Sequence, residues 1–174
     1  SWLDALVANH VPRDTGKSCL TPLIGVRGGL AGDFTITCTG DDSYMIIGSG
    51  MAERYHSRFF DMVAMPDDTK LEFATTRIAG FNVAGPRSRE MLQSITNADL
   101  SNDAWRFMQS RWIYVAGIRC LAIRVSFTGD LGWELHCDAG DQCALYSALL
   151  AAASACDGGP VGSRALGALR IEKG

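Results

Sequence analysis

The feature that most constrains the fold is a glycine-containing turn, TGDLG at residues 128–132, with alternating side chains on both sides of it. The apolar residues before the turn recur at every second position: Leu121, Ile123, Val125 and Phe127. After the turn, the same spacing places Trp133 and Leu135 on one face and Glu134 and His136 on the other. A period of two is the spacing of β-strands, so this region is predicted to be an antiparallel hairpin with one buried face.

Further strands and helices are predicted along the rest of the chain. Strand patterns lie in residues 29–40 and 43–50, in 71–85 as one or two strands, and in 111–127 as two strands joined near Gly117. Helical spacing occurs in residues 1–10, 51–65, 85–95, 143–155 and the last ten residues. Pro66 is expected to stop the second helix, Pro86 to lie in the first turn of the third, and Asp141 to cap the fourth. Short turns between strands favour an α+β fold, with antiparallel sheets flanked by helices.

Composition narrows the class of protein. The 174 residues, 47% of them hydrophobic, can bury one core or two small ones, and no window predicts a membrane span. A net charge of -3 and no basic patch argue against a nucleic-acid partner. The six cysteines form no CxxC pair and no zinc-like spacing with the three histidines, so no metal site is predicted. These features predict a soluble intracellular protein whose cysteines are mostly small core residues.

Both ends of the chain have the apolar spacing of helices, and neither carries the polar trailing sequence typical of a free terminus. The chain opens on SWLDALVANH without an initiator methionine and closes on ALGALRIEKG. We therefore expect it to be a piece of a longer polypeptide, with residues 1–174 forming one domain and candidate points of subdivision near residues 50 and 140.

Glu134 is the first candidate for chemistry. A carboxylate held rigidly after a glycine turn can accept two parallel hydrogen bonds from a planar donor edge. The alternatives are an exposed strand carboxylate or an ion pair with Arg124. The strand spacing by itself favours these alternatives.

The other candidates are weaker when each is taken alone. Asp33 follows a run with three glycines in five positions and stands near the start of a strand, where a turn residue is the alternative to a catalytic one. His56 and His10 are interpreted as structural or solvated. Arg170 either pairs on the surface with Glu172 or turns inward. No serine or cysteine lies in a nucleophile motif such as GxSxG.

The order of LAGDFTI, YMIIGSG, VAGPRSREML, RVSFTGDLGWELH and ALRIEKG resembles that in the folate-binding aminomethyltransferase family. This family contains the glycine-cleavage T-protein and the C-terminal modules of dimethylglycine and sarcosine dehydrogenases and oxidases. The likeness covers nearly the whole chain, and the RIEKG ending is more similar to the amine dehydrogenases. It implies a T-protein-like fold that here lacks an N-terminal segment and a C-terminal barrel.

The resemblance also implies roles for individual residues. Glu134 would bind the pterin of tetrahydrofolate, and Asp33 would be the catalytic carboxylate. T-proteins often have two acids at that position, whereas this chain has Gly32 and then Asp33. Arg170 would support the site or the acidic tail of the ligand. Tyr44 and Trp133 would pack near the ring, with core burial as the alternative for both.

The implied function is capture of a one-carbon unit by tetrahydrofolate. A flavin (FAD) domain elsewhere in the parent protein would oxidise a methylamine such as dimethylglycine or sarcosine, and 5,10-methylenetetrahydrofolate would form. The expected compartment is the cytoplasm, or the mitochondrial matrix in a eukaryote. The alternatives are a stand-alone T-protein, a non-catalytic folate module of the iron–sulfur assembly type, and a scaffold without activity. The chain carries no KGCYxGQE-type motif of the iron–sulfur assembly proteins.

Overall fold

The computed structural model describes residues 2–173 and divides into two compact units, Ser1–Phe73 and Ala74–Gly174. Each unit contains one antiparallel sheet together with helices, so the predicted α+β class is confirmed. The two units are described separately below.

The first unit is built on a three-stranded sheet in the order β1-β2-β3. Its elements are α1 (Trp2–Leu6), β1 (Ser18–Ile24), β2 (Leu30–Gly40), β3 (Ser43–Ile47), a 3-10 turn (Gly50–Ala52) and α2 (Glu53–Phe60). The long central strand β2 pairs antiparallel with both neighbours. Its alternation directs Phe34 and Ile36 into a core that contains Leu3, Leu6, Val11, Leu23 and Phe60.

Strand β1 has no counterpart in the sequence-based expectations. Pro22 lies within it, and a proline in a strand normally argues against a strand because it cannot donate a backbone hydrogen bond. The sheet order resolves the conflict, since β1 is an edge strand and an edge tolerates a missing donor. Pro22 pairs in register with Asp33 of β2.

The second unit is built on a four-stranded sheet in the order β4-β7-β6-β5. Its elements are β4 (Ile78–Ala84), α3 (Ser88–Gln93), β5 (Ser110–Val115), β6 (Ile118–Ile123), β7 (Gly132–Asp138), a 3-10 turn (Ala139–Asp141), α4 (Gln142–Ala155) and α5 (Ser163–Lys173). All strand pairs in it are antiparallel. Residues from one face of this sheet and from α3 and α4 form a single core, which includes Trp105, Trp133, Leu135 and Leu145.

The predicted hairpin is confirmed, but its connection is longer than a tight turn. Strand β6 ends at Ile123 and β7 begins at Gly132, so residues 124–131 form the loop. Arg124 leaves the β6–β7 ladder because its backbone pairs with Gln109 and Met108 instead. The strands then register with Leu121 opposite His136 and Ile123 opposite Glu134.

Three local predictions about helices need correction. Helix α2 ends at Phe60 and does not extend to Pro66. Pro86 lies in the turn before α3, which begins at Ser88. Asp141 makes no side-chain cap for α4; Asp138 caps the preceding 3-10 turn by accepting from the Gly140 backbone N–H.

Among residues 2–173, no helix has both the length and the apolar composition that a membrane crossing requires. The described residues also contain no cluster of three or more histidine, cysteine, aspartate or glutamate side chains suited to a metal ion. Cys38, Cys120 and Cys137 are buried, as expected for core cysteines, whereas Cys143 is exposed.

Candidate functional site

Glu134 owes its position to the two glycines of the preceding turn. Gly129 has a φ of +76°, a left-handed conformation that glycine adopts without strain. Gly132 allows close approach of two strands, since a Cβ there would lie 2.5 Å from the Val83 carbonyl oxygen of β4. The Leu131 carbonyl accepts hydrogen bonds from the Gly85 N–H and the Ser88 hydroxyl. The chain therefore enters β7 tied to β4 and to the start of α3.

The carboxylate of Glu134 lies beside the imidazole of His136. Glu134 Oε2 and His136 Nε2 are 3.6 Å apart, and the two side chains are 18% and 11% exposed. No described residue donates a hydrogen bond to this carboxylate. The ion pair with Arg124 is not formed, because Arg124 donates to the Trp105 carbonyl and to Asn102 Oδ1. Glu134 is thus a half-buried acid on the sheet face, with the His136 imidazole close beside it.

Trp133 lies on the other face of β7, as the alternation predicts. Its side chain is 1% exposed within the core of the second unit. The ring packs edge-on against Trp105 with centroids 6.5 Å apart, and the guanidinium carbon of Arg89 lies 6.0 Å from its centroid. This placement corresponds to the core-burial alternative, and the sheet separates Trp133 from Glu134.

Asp33 belongs to the first unit, in β2 opposite Pro22. Its side chain is exposed, and no described residue forms a hydrogen bond or ion pair with its carboxylate. The neighbouring Gly32 faces α2, where His56 is 5% exposed. Asp33 is therefore an exposed acid with no oppositely charged partner among the described residues. The opposite face of the sheet packs against the core of the first unit.

Tyr44 lies in β3 opposite Cys38 and is half-buried against the core of the first unit. Burial raises the pKa of its phenol, and the nearby Cys38 and Asp42 act in the same direction. Tyr44 and Asp33 occupy distant positions along the sheet, since Cys38 follows Asp33 by five residues on β2. The structure does not bring these two side chains together.

Arg170 lies in α5, with its guanidinium carbon 4.7 Å from the centroid of the Phe127 ring. One turn later in the same helix, Lys173 Nζ lies 2.9 Å from Asp130 Oδ1. Helix α5 thus contacts the turn that precedes β7 through two cationic side chains. Arg170 pairs with an aromatic ring here, a contact that the sequence alternatives did not include.

His136 is the residue near Glu134 that sequence reasoning left out of the site. The signal was present, because the alternation already placed both side chains on one face of the strand. The missing information was the burial of His136 Nε2, which forms no hydrogen bond in the described part of the chain.

The whole chain, residues 1–174, matches the family model for the GCVT N-terminal domain. The chain belongs to this family. Mitochondrial dimethylglycine dehydrogenase of Mus musculus is 32% identical over 173 residues, which is 98% of this chain and 20% of that protein. An aminomethyltransferase of Geobacillus kaustophilus is 29% identical over 175 residues, covering 99% of this chain and 47% of that protein.

Among solved structures, the glycine cleavage system aminomethyltransferase T of Bartonella henselae matches with a TM-score of 0.76. The match covers 98% of this chain and 45% of that one, at 20% sequence identity, and so establishes a shared fold. The resemblance to the aminomethyltransferase family and the T-protein-like fold are both confirmed. This chain spans about one-fifth of the length of the dehydrogenase relatives, 20% in the mouse protein.

Proposed function

We propose that this chain is a tetrahydrofolate-binding module that captures a one-carbon unit released by oxidative demethylation of a methylamine such as dimethylglycine or sarcosine. The observation that carries the proposal is the placement of Glu134. Its carboxylate is half-buried, is held by a central strand, and accepts no hydrogen bond from a described residue. A half-buried carboxylate that accepts no hydrogen bond from a described residue keeps its acceptor sites free for a ligand.

Pterin chemistry fits this carboxylate. The ring N–H and the exocyclic amino group of a pterin lie side by side and can donate two charge-assisted hydrogen bonds to one carboxylate. Asn82, directly across from Glu134 on β4, adds an amide on the same face of the sheet. In this proposal Glu134 orients the pterin, and bound tetrahydrofolate supplies the nucleophilic nitrogens that accept the one-carbon unit.

Asp33 is proposed as the carboxylate that assists transfer. A carboxylate at an exposed position can accept a proton from a folate nitrogen or stabilise a developing cation. Arg170 is proposed to act on the ligand's acidic tail or to support the turn through Phe127. Tyr44 remains a candidate for packing near the ring. Trp133 would act from the core, by fixing the strand that carries Glu134.

The proposed partner is a flavin-dependent amine-oxidising domain, with FAD bound outside this chain. The dehydrogenase relatives support this choice, since they match nearly the whole chain at 30% identity or more. Those relatives are mitochondrial, and we propose a mitochondrial matrix location in a eukaryote or a cytoplasmic one in a bacterium. The aminomethyltransferase of the glycine cleavage system is the second candidate function, and the Geobacillus kaustophilus relative supports it.

The test is calorimetric titration of the intact protein and its Glu134→Gln variant with 5-formyltetrahydrofolate. The amide keeps the shape but replaces an acceptor with a donor, so binding should weaken by about 1–3 kcal/mol. Asp103→Asn is the matched control, because it removes the same charge from an exposed position in the second unit. Equal affinity of Glu134→Gln and the unsubstituted protein would refute the pterin assignment.

A further inference from the structure

The imidazole of His136 has a buried ring nitrogen that lacks a hydrogen-bond partner. Its Nε2 is inaccessible to solvent and forms no hydrogen bond within the described residues. Glu134 Oε2 lies 3.6 Å away, which is beyond the usual hydrogen-bond distance of about 2.9 Å. A buried polar nitrogen without a partner costs free energy, so this nitrogen has a strong tendency to acquire one.

Gly80 explains how the ring comes to lie at this place. It is directly across from His136 on β4, and a Cβ there would lie 3.2 Å from His136 Nδ1. The ring thus rests against the bare backbone of the neighbouring strand. Leu121, across from His136 on β6, is apolar and 2% exposed. Neither cross-strand neighbour offers a side-chain acceptor, whereas the carboxylate of Glu134 lies 3.6 Å from Nε2.

We propose that His136 is a positioning residue for Glu134 in folate recognition. An N–H at Nε2 donates to one carboxylate oxygen once the two groups close by a fraction of an ångström. That bond fixes the plane of the carboxylate, so that its remaining acceptor sites face the donor edge of the pterin. This inference rests on the proposed function and adds a residue that determines the strength of pterin binding.

The test is a double-mutant cycle on the intact protein, with 5-formyltetrahydrofolate affinity measured by calorimetry. His136→Leu removes the donor and should weaken binding about tenfold, the scale of one hydrogen bond to a charged group. His136→Gln retains an N–H donor near the position of Nε2 and should stay within about threefold of the parent affinity. His10→Leu, at an exposed histidine, is the matched control and should bind like the parent.

The cycle separates positioning from a general structural role. In the Glu134→Gln background, His136→Leu should have little further effect, because the group through which it acts has been changed. An equal loss in both backgrounds, or parent-like affinity of His136→Leu, would overturn the inference while leaving the role of Glu134 intact. Absence of folate binding by the intact parent protein would overturn the proposed function and this inference together.

Discussion

The imidazole of His56 occupies the space that a side chain at Gly32 would need. A Cβ on Gly32 would lie 2.6 Å from His56 Nε2, closer than non-bonded atoms approach. The ring is fixed there by its edge-on contact with Phe34, with centroids 4.8 Å apart. With His56 in this position, β2 and α2 leave no room for a side chain at position 32. A second acid at position 32 would meet the His56 ring in this arrangement.

Gly32→Ala should destabilise the first unit by about 1–3 kcal/mol, the usual cost of overpacking. The reason is that His56 is 5% exposed and has little room to move away from the added methyl group. The measurement is urea unfolding followed by a probe in the first unit. Gly29→Ala is the matched control, since nothing lies within 4 Å of a Cβ there, and it should change stability by less than about 1 kcal/mol. Equal stabilities of the two variants would contradict the packing argument.

The two glycines of the TGDLG turn should differ in their response to alanine. A Cβ at Gly132 would meet backbone atoms of β4, 2.5 Å from the Val83 oxygen, so the strands would have to separate. A Cβ at Gly129 meets the flexible side chain of Lys173, and the cost there is mainly the left-handed φ of +76°. We expect a loss of about 3 kcal/mol or more for Gly132→Ala and about 1–2 kcal/mol for Gly129→Ala. Thermal unfolding of both variants checks the order, and the reverse order would refute it.

The sequence predicted the parts of the fold that depend on strict periodicity. Alternation along residues 132–138 is enough to place Trp133 in the core and Glu134 on the opposite face, because the strand period is two. Helix α4 was predicted over residues 143–155, and the structure forms it over Gln142–Ala155. Alternation failed for β6, where Cys120, Leu121, Ala122 and Ile123 are all buried. Tertiary packing covers both faces of β6 there, and local spacing does not record it.

Features that depend on distant residues were not predictable. Strand β1 forms because β2 pairs with it. Its residues do not predict a strand, because Pro22 cannot donate a backbone hydrogen bond. The position of the His136 ring depends on Gly80, which is distant in the sequence and lies opposite His136 only because β4 pairs with β7. The C-terminal contact of Arg170 with Phe127 likewise requires α5 to lie on the turn. For the candidate site, the resemblance to the aminomethyltransferase family gave Glu134 and Asp33 their expected roles. The sequence could not show that neither carboxylate accepts a hydrogen bond from a described residue.

Because of the Cys120 thiol, the free energy of unfolding should decrease at alkaline pH. Burial raises the pKa of its thiol from an ordinary 9.0 to about 12, and the neighbouring Cys137 adds to the shift. The unfolded chain therefore loses this proton near pH 9 while the folded chain keeps it, so the contribution to stability is present below pH 9 and is lost between about pH 9 and 12. Urea unfolding at a series of pH values should show a steeper decline for the parent than for Cys120→Ala. Parallel declines would show that the thiol does not titrate differently in the two states.

Asp33→Asn should separate ligand binding from transfer. The amide preserves the shape of an exposed side chain whose carboxylate forms no hydrogen bond or ion pair with a described residue, so both the fold and 5-formyltetrahydrofolate affinity should be nearly unchanged. The neutral group cannot accept a proton, and formation of methylenetetrahydrofolate by the intact protein should slow by about 100-fold or more, the scale of general acid–base assistance. The measurement is the rate of methylenetetrahydrofolate formation with dimethylglycine or sarcosine as the amine, beside Asp67→Asn as an exposed control in the same unit. Unchanged transfer would remove Asp33 from the mechanism, whereas a loss of binding in proportion to activity would assign it to ligand recognition instead.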